Sequence, residues 1–198
     1  MSIRRSPTAV FLAAVLSVGL AACETPVQME EQSELTFSHL PKLSFNVAKV
    51  GVVDNYRSPE KAPNVEHLLP TSPAAGLERW ARDRLKAVGK SGTLRLIIED
   101  ASVIEATLKK DTSLRGTFTK QQSQRYDFAV RGSLEAVDAG GLVAATANAN
   151  ARRSITVRED ITLHERKKIW FETVEKLLSD FDREMERNAR RYLVDWLR

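Results

Sequence analysis

The sequence predicts an α+β domain: a two-layer sandwich in the order βαβββα, with a four-stranded, largely antiparallel sheet and two helices on one face. Three observations carry this expectation. Residues 122–137 alternate most clearly, with Tyr126, Phe128, Val130, Leu134 and Ala136 on one side and Arg125, Asp127, Arg131, Ser133 and Glu135 on the other. A strand with one apolar and one wet face belongs to a sheet covered on one side only. Residues 163–197 instead repeat their apolar side chains at helical spacing, and neither Gly nor Pro occurs after Gly141. Between these two segments, Asp138-Ala139-Gly140-Gly141 has the composition of a hairpin turn, where glycine supplies positive φ.

From the N-terminus, Arg4 and Arg5 precede an apolar run over residues 9–20, followed by Leu20-Ala21-Ala22-Cys23. A basic start, a short apolar run and small residues before a cut predict an export signal over residues 1–22. The run is shorter than the ~20 apolar residues a spanning helix needs. Ser6-Pro7-Thr8 after the arginine pair argues for a plain basic start over a twin-arginine signal. Leu20-Ala21-Ala22-Cys23 resembles the lipobox of bacterial lipoproteins. That resemblance implies acylation of Cys23 as the new N-terminus and a membrane lipid anchor. Glu24 follows, where an Asp would imply retention at the inner membrane, so the resemblance implies the outer membrane, facing the periplasm.

Cleavage before Cys23 leaves 176 of 198 residues, enough for one domain with a real core. Without Arg4 and Arg5 the 30 basic residues fall to 28, against 26 acidic. That balance is too even to argue for a nucleic-acid partner, and the periplasmic placement implied by the lipobox resemblance argues against one. Cys23 is the only cysteine, so no disulfide within the chain is expected and the core must supply stability.

Residues 23–41 read as a lipidated tether, with acidic residues breaking up the apolar ones between Pro26 and Pro41; residues 42–198 form the folded domain. Leu43, Phe45 and Val47 alternate in a first strand over 43–53, whose phase reverses near Lys49. Residues 54–72 are the longest irregular segment, with Pro59, Pro63 and Pro70. Ser72 and Pro73 then predict a helix start, Leu77, Trp80, Ala81, Leu85 and Val88 its apolar stripe, and Gly89 its C-cap. Residues 93–108 read as one long strand. A polar connection over 109–121 leads into the strand at 122–137. In the returning strand, 142–157, Val143, Ala145, Ala147, Ala149 and Ala151 share one face, and Thr146, Asn148, Asn150 and Arg152 the other. Alanine is a weak strand former, so the row predicts clearance for a helix lying close to the sheet. Thr162 and Glu165 have capping-box spacing, and the helix they start would reach ~50 Å if unbroken to Leu197. Such a helix would outrun the sheet.

Motifs for chemistry are sparse. Gly89-Lys90-Ser91 echoes the end of a phosphate-binding loop, but Arg84 stands where that loop needs glycine, and the strand–helix order is reversed. His39, His67 and His164 lack metal-ligand spacing and read as surface residues. No G-x-S-x-G elbow occurs. The expectation is a non-enzyme with no cofactor and no metal. Basic residues at 109–120, with Arg152 and Arg153, read as solubilising a hairpin tip and strand edge in preference to forming a cationic patch.

The element order is similar to that of small envelope lipoproteins, including the lipopolysaccharide-assembly lipoprotein and the auxiliary lipoproteins of lipid-transporting ABC systems. The resemblance implies an accessory subunit of a transport or outer-membrane assembly complex, with a carrier of a lipid or other apolar ligand as the alternative. From the residues themselves, the proline-rich segment is the candidate partner site, with Tyr56 as aromatic anchor and Arg57, Glu60, Lys61 and Glu66 as polar contacts.

Overall fold

The computed structural model describes residues 34–109 and 122–198; Cys23, the predicted signal and all but the first residue of the connection expected at 109–121 lie outside them. The strands are β1 (Leu43–Phe45), β2 (Lys49–Asp54), β3 (Leu85–Ala87), β4 (Thr93–Asp100), β5 (Val103–Thr107), β6 (Gln122–Val137) and β7 (Val143–Arg158). The helices are α1 (Pro73–Arg84) and α2 (Leu163–Tyr192).

The α+β class is as expected, and the main sheet is mixed where a largely antiparallel one was expected. β2 pairs with β4 in parallel, and β4, β5 and β7 all pair with β6 antiparallel. It has five strands but is four ribbons wide. β4 and β5 run end to end along one flank of β6, with the register slipping by one residue between Ile98 and Asp100. The single strand expected over 93–108 is thus cut by a bulge, which bends a ribbon without ending its ladder. The wet face carries cross-strand ion pairs, Arg95–Glu135 and Arg131–Glu99, both at 2.9 Å. Exposed pairs of this kind contribute at most about 1 kcal/mol each.

The first strand splits where its phase reverses. Leu43, Phe45 and Val47 are buried, and β1 pairs in parallel with β3 as a separate two-stranded sheet. Across the short connection the chain enters the main sheet as β2, whose Val52 and Val53 are partly exposed.

Ser72 caps α1 by accepting from the Ala75 N–H at 3.2 Å, with Pro73 at the first helical position, as expected. The helix stops at Arg84, short of Gly89. Leu85 turns extended, and the Val88 and Gly89 N–H groups donate to Phe45 and Val47 carbonyls, both at 2.9 Å. Pairing with β1 therefore overrides helical periodicity for one turn. Gly89 is not a C-cap: a Cβ there would lie 2.5 Å from the Asn46 carbonyl carbon and 2.7 Å from the Val47 nitrogen, so it permits a close backbone approach. The hairpin after β6 forms as expected, with Gly141 at φ 87° and the Asp138 carboxylate accepting from the Leu142 N–H.

α2 begins with the expected capping box between Thr162 and Glu165. It ends at Tyr192, about 45 Å on at 1.5 Å per residue. Val194–Trp196 form a 3-10 turn, and the chain folds back onto β1: Asn46 N–H donates to the Trp196 carbonyl at 2.7 Å, and Arg198 N–H to the Ser44 carbonyl at 2.9 Å. The end of the helical stretch therefore docks on the small sheet, where an unbroken helix was expected to outrun the sheet.

One core joins the layers. Tyr126, Phe128 and Val130 of β6 share it with Val174, Leu178 and Phe181 of α2. Trp80 meets Phe181 edge-on at 5.3 Å, and Tyr126 meets Trp170 at 5.2 Å. Ala147, Ala149 and Ala151 are buried beneath α2. Leu35 and Phe37, expected in the tether, are core residues too, and the Phe37 N–H donates to Asp83 at 2.8 Å. The folded body thus includes residues from Glu34 onward.

Candidate functional site

The proline-rich loop is held along the sheet by its backbone. Asn55 N–H donates to the Ile98 carbonyl at 3.0 Å, extending the β2–β4 ladder by one step. Farther on, Glu105 N–H donates to the Pro63 carbonyl at 2.8 Å and Val65 N–H to the Val103 carbonyl at 2.9 Å. Residues 63–65 thereby cover the flank of β5 that β6 leaves open. Between these two attachments the chain reverses at residues 61–64, just after Glu60 at φ 52°, a left-handed conformation uncommon outside glycine. Asn64 N–H closes the reversal on the Lys61 carbonyl at 2.9 Å.

Glu66 organises the interior of the loop. It is 3% exposed. Its Oε1 accepts from the Tyr56 hydroxyl and the Ser58 hydroxyl, both at 2.6 Å, and its Oε2 from the Val103 N–H at 3.3 Å. The Asn64 amide lies 3.5 Å from both oxygens. Burial by itself raises this carboxyl's pKa, but the hydrogen bonds from Ser58, Tyr56 and the backbone outweigh it and hold the group below its ordinary value. The same contact acts the other way on Tyr56: burial first, then the bond to Glu66 and its charge, push the phenol well above its ordinary range. Chemically this is a saturated carboxylate. Both oxygens are occupied by donors of its own chain, so it serves as an internal clamp.

The five residues singled out from sequence therefore divide. Tyr56 and Glu66 come together inside the loop and hold its shape. Arg57, Glu60 and Lys61 are exposed on its outside, and Arg57 also bonds the Asp54 and Tyr56 carbonyls at 2.7 and 3.0 Å. Ser58 and Asn64 belong to the clamp and were missed by sequence reasoning. Their signal is weak: polar residues eight and two positions before a Glu, in a segment with no periodicity to orient them.

Two other places gather polar side chains at the surface. A cleft of about 340 Å³ is lined by Lys42, Ser44, Arg190, Val194 and Arg198 where the C-terminus docks on β1. Arg190 is already paired with Glu186 at 2.6 Å. A second groove, about 430 Å³, runs beside β7 and α2. Arg152 and Arg153 make no joint patch. They are neighbours on a strand and so point to opposite sides, and Arg153 pairs with Asp180 at 2.5 Å. The basic residues at 110–120 lie outside the described residues. His39, His67 and His164 are exposed. Among the described residues, no group of three or more His, Cys, Asp or Glu could hold a metal ion.

Fold and site together define an α+β domain, with two helices, a mixed five-stranded sheet and a small two-stranded one, that presents an internally clamped, proline-rich loop beside β5. No protein-family model matches the chain, and no curated protein matches it. Among the described residues, no helix is long and apolar enough to cross a membrane.

Proposed function

We propose that this chain is a non-catalytic, lipid-anchored accessory subunit of a bacterial envelope transport or assembly complex, and that the exposed tip of the proline-rich loop meets the partner. The observation that carries the reading is the commitment of the Glu66 carboxylate to the loop's own donors. It leaves residues 57–62 exposed except for Ser58 and already ordered, so a partner need not supply the entropy of ordering them. Anchoring at Cys23, outer-membrane placement and the absence of a nucleic-acid partner rest on the sequence: the lipobox resemblance, Glu24 and the charge balance. Charged residues in both surface clefts, and a buried alanine row that closes the helix–sheet gap, favour an accessory subunit over a carrier of apolar ligands.

Crosslinking in intact cells tests the proposal. The variant Arg57→Ala/Glu60→Gly/Lys61→Ala alters only exposed residues, and glycine keeps the left-handed turn at position 60. It should melt with the parent and lose the captured partner. Capture of the same partner by this variant would move the contact elsewhere, and a parent chain that captures nothing would reject the accessory reading.

A further inference from the structure

The groove beside β7 combines features that neither folding nor the loop explains. Its strand wall carries Thr146, Asn148 and Asn150, all exposed. Asparagine is disfavoured inside strands, and these two sit mid-strand with no apolar packing in return. The rest of the wet face holds charges paired across strands, whereas this row is uncharged. β7 pairs only with β6 among the described strands, so its other edge faces the groove.

The hydrogen-bonding capacity of the groove is largely unused. Among the described residues, no hydrogen bond reaches the Asn148 amide or the Thr146 hydroxyl. Asn150 commits one N–H to Glu184 on α2, at 3.4 Å. Asn188 on α2 commits one N–H to the Asn148 backbone carbonyl at 2.7 Å, which leaves its own carbonyl oxygen. Each side-chain amide offers two donors and one acceptor oxygen, so both kinds of group remain in a short span. At the α2 end stands Tyr192, 52% exposed, with the Arg191 guanidinium 5.2 Å from its ring centroid.

Charge and polarity narrow the ligand class. Arg131 lines the groove, but its charge is already paired with Glu99 through Nε at 2.9 Å, and Glu184 adds a negative charge to the lining, so the groove has no net positive charge to draw an anion. Glu184 is a single carboxylate, too little for a metal or a polyamine. The apolar lining is confined to Ala149 and the Tyr192 ring. What these groups match is a neutral, polyhydroxylated ligand with apolar ring faces, able to exchange donors and acceptors with amides and to stack on an aromatic. The volume, about 430 Å³, falls within the range of small-ligand sites. We infer that this groove binds a carbohydrate chain, with Asn148, Asn150 and Asn188 reading hydroxyls and Tyr192 as the stacking platform.

Titration of the full chain with chitotetraose and with maltotetraose, followed by NMR of the asparagine side-chain amides, tests the assignment. At least one oligosaccharide should shift the Asn148, Asn150 and Asn188 amides saturably in the millimolar range. Asn148→Ala/Asn150→Ala and Tyr192→Ala, each followed on Asn188, should raise the dissociation constant about tenfold or more, the worth of roughly one net hydrogen bond. These positions are exposed, so the variants should melt with the parent. Arg82→Ala, exposed on α1 and outside the groove's lining, should bind as the parent does. The inference is overturned if neither sugar shifts these amides, if the variants bind as tightly as the parent, or if inorganic phosphate competes for the same signals.

Discussion

Arg84 of α1 and Asp182 of α2 form a buried ion pair, Nε to Oδ1 at 2.6 Å, with 1% and 7% of their side chains exposed. Trp80 donates its indole N–H to the same oxygen at 2.7 Å, and Glu186 takes the second arm of the guanidinium at 2.6 Å. The remaining Nη1 is buried with no partner. Contacts from Arg190, then from Arg84, outweigh burial and hold the Glu186 carboxyl below its ordinary value. This cluster fixes how the two helices meet, because neither charge can leave its partner without entering the apolar layer.

Removing one partner should therefore cost far more than removing both. Asp182→Ala leaves a buried cation with only a peripheral counter-charge and should destabilise the fold by about 3–5 kcal/mol. The double variant Arg84→Met/Asp182→Leu should recover most of that loss. Denaturant midpoints of the two variants decide it; equal losses would mean that the pair is not coupled as described.

Beneath α2, Ala147 is fully buried in β7. Ala147→Leu adds volume where the helix already touches the strand, and should cost about 1–3 kcal/mol by overpacking. A neutral result in denaturant melts would show that the alanine row does not set the helix–sheet spacing.

Glu66 makes stability depend on pH. Its folded pKa lies below its ordinary value of 4.5, so it contributes stability that is present above 4.5 and is lost as pH falls through the folded value. Glu66→Gln should lower stability at neutral pH by about 1–3 kcal/mol, since a carboxylate accepting several donors is replaced by a group with one acceptor oxygen. The gap between parent and variant should then narrow below pH 4.5, where the parent's carboxyl also becomes neutral. A gap independent of pH would mean that the clamp does not require the charge.

The proposed anchor is tested by metabolic labelling with fatty acid. Cys23→Ser removes the only thiol in the chain and should abolish both labelling and recovery with the membrane fraction. A variant that still labels would refute acylation at this residue.

Several features were legible in the sequence because their causes are local. Two-residue alternation set the faces of β6 and β7, the glycines after Asp138 set the hairpin, and Ser72 and Thr162 set two helix starts. In each case the deciding contacts lie within a few residues, where spacing and side-chain type are sufficient. Glu66 could be named as a polar contact of the proline-rich segment, yet its role as a clamp depends on Val103, 37 positions away. Tertiary contact alone decided that α1 stops at Arg84, that the stretch from β4 to β5 breaks, and that the C-terminus turns back onto β1. Each follows from backbone groups finding partners far along the chain, as when Arg198 meets Ser44. Periodicity records which face a residue turns to the interior, whereas hydrogen bonds between distant segments settle where one element yields to another.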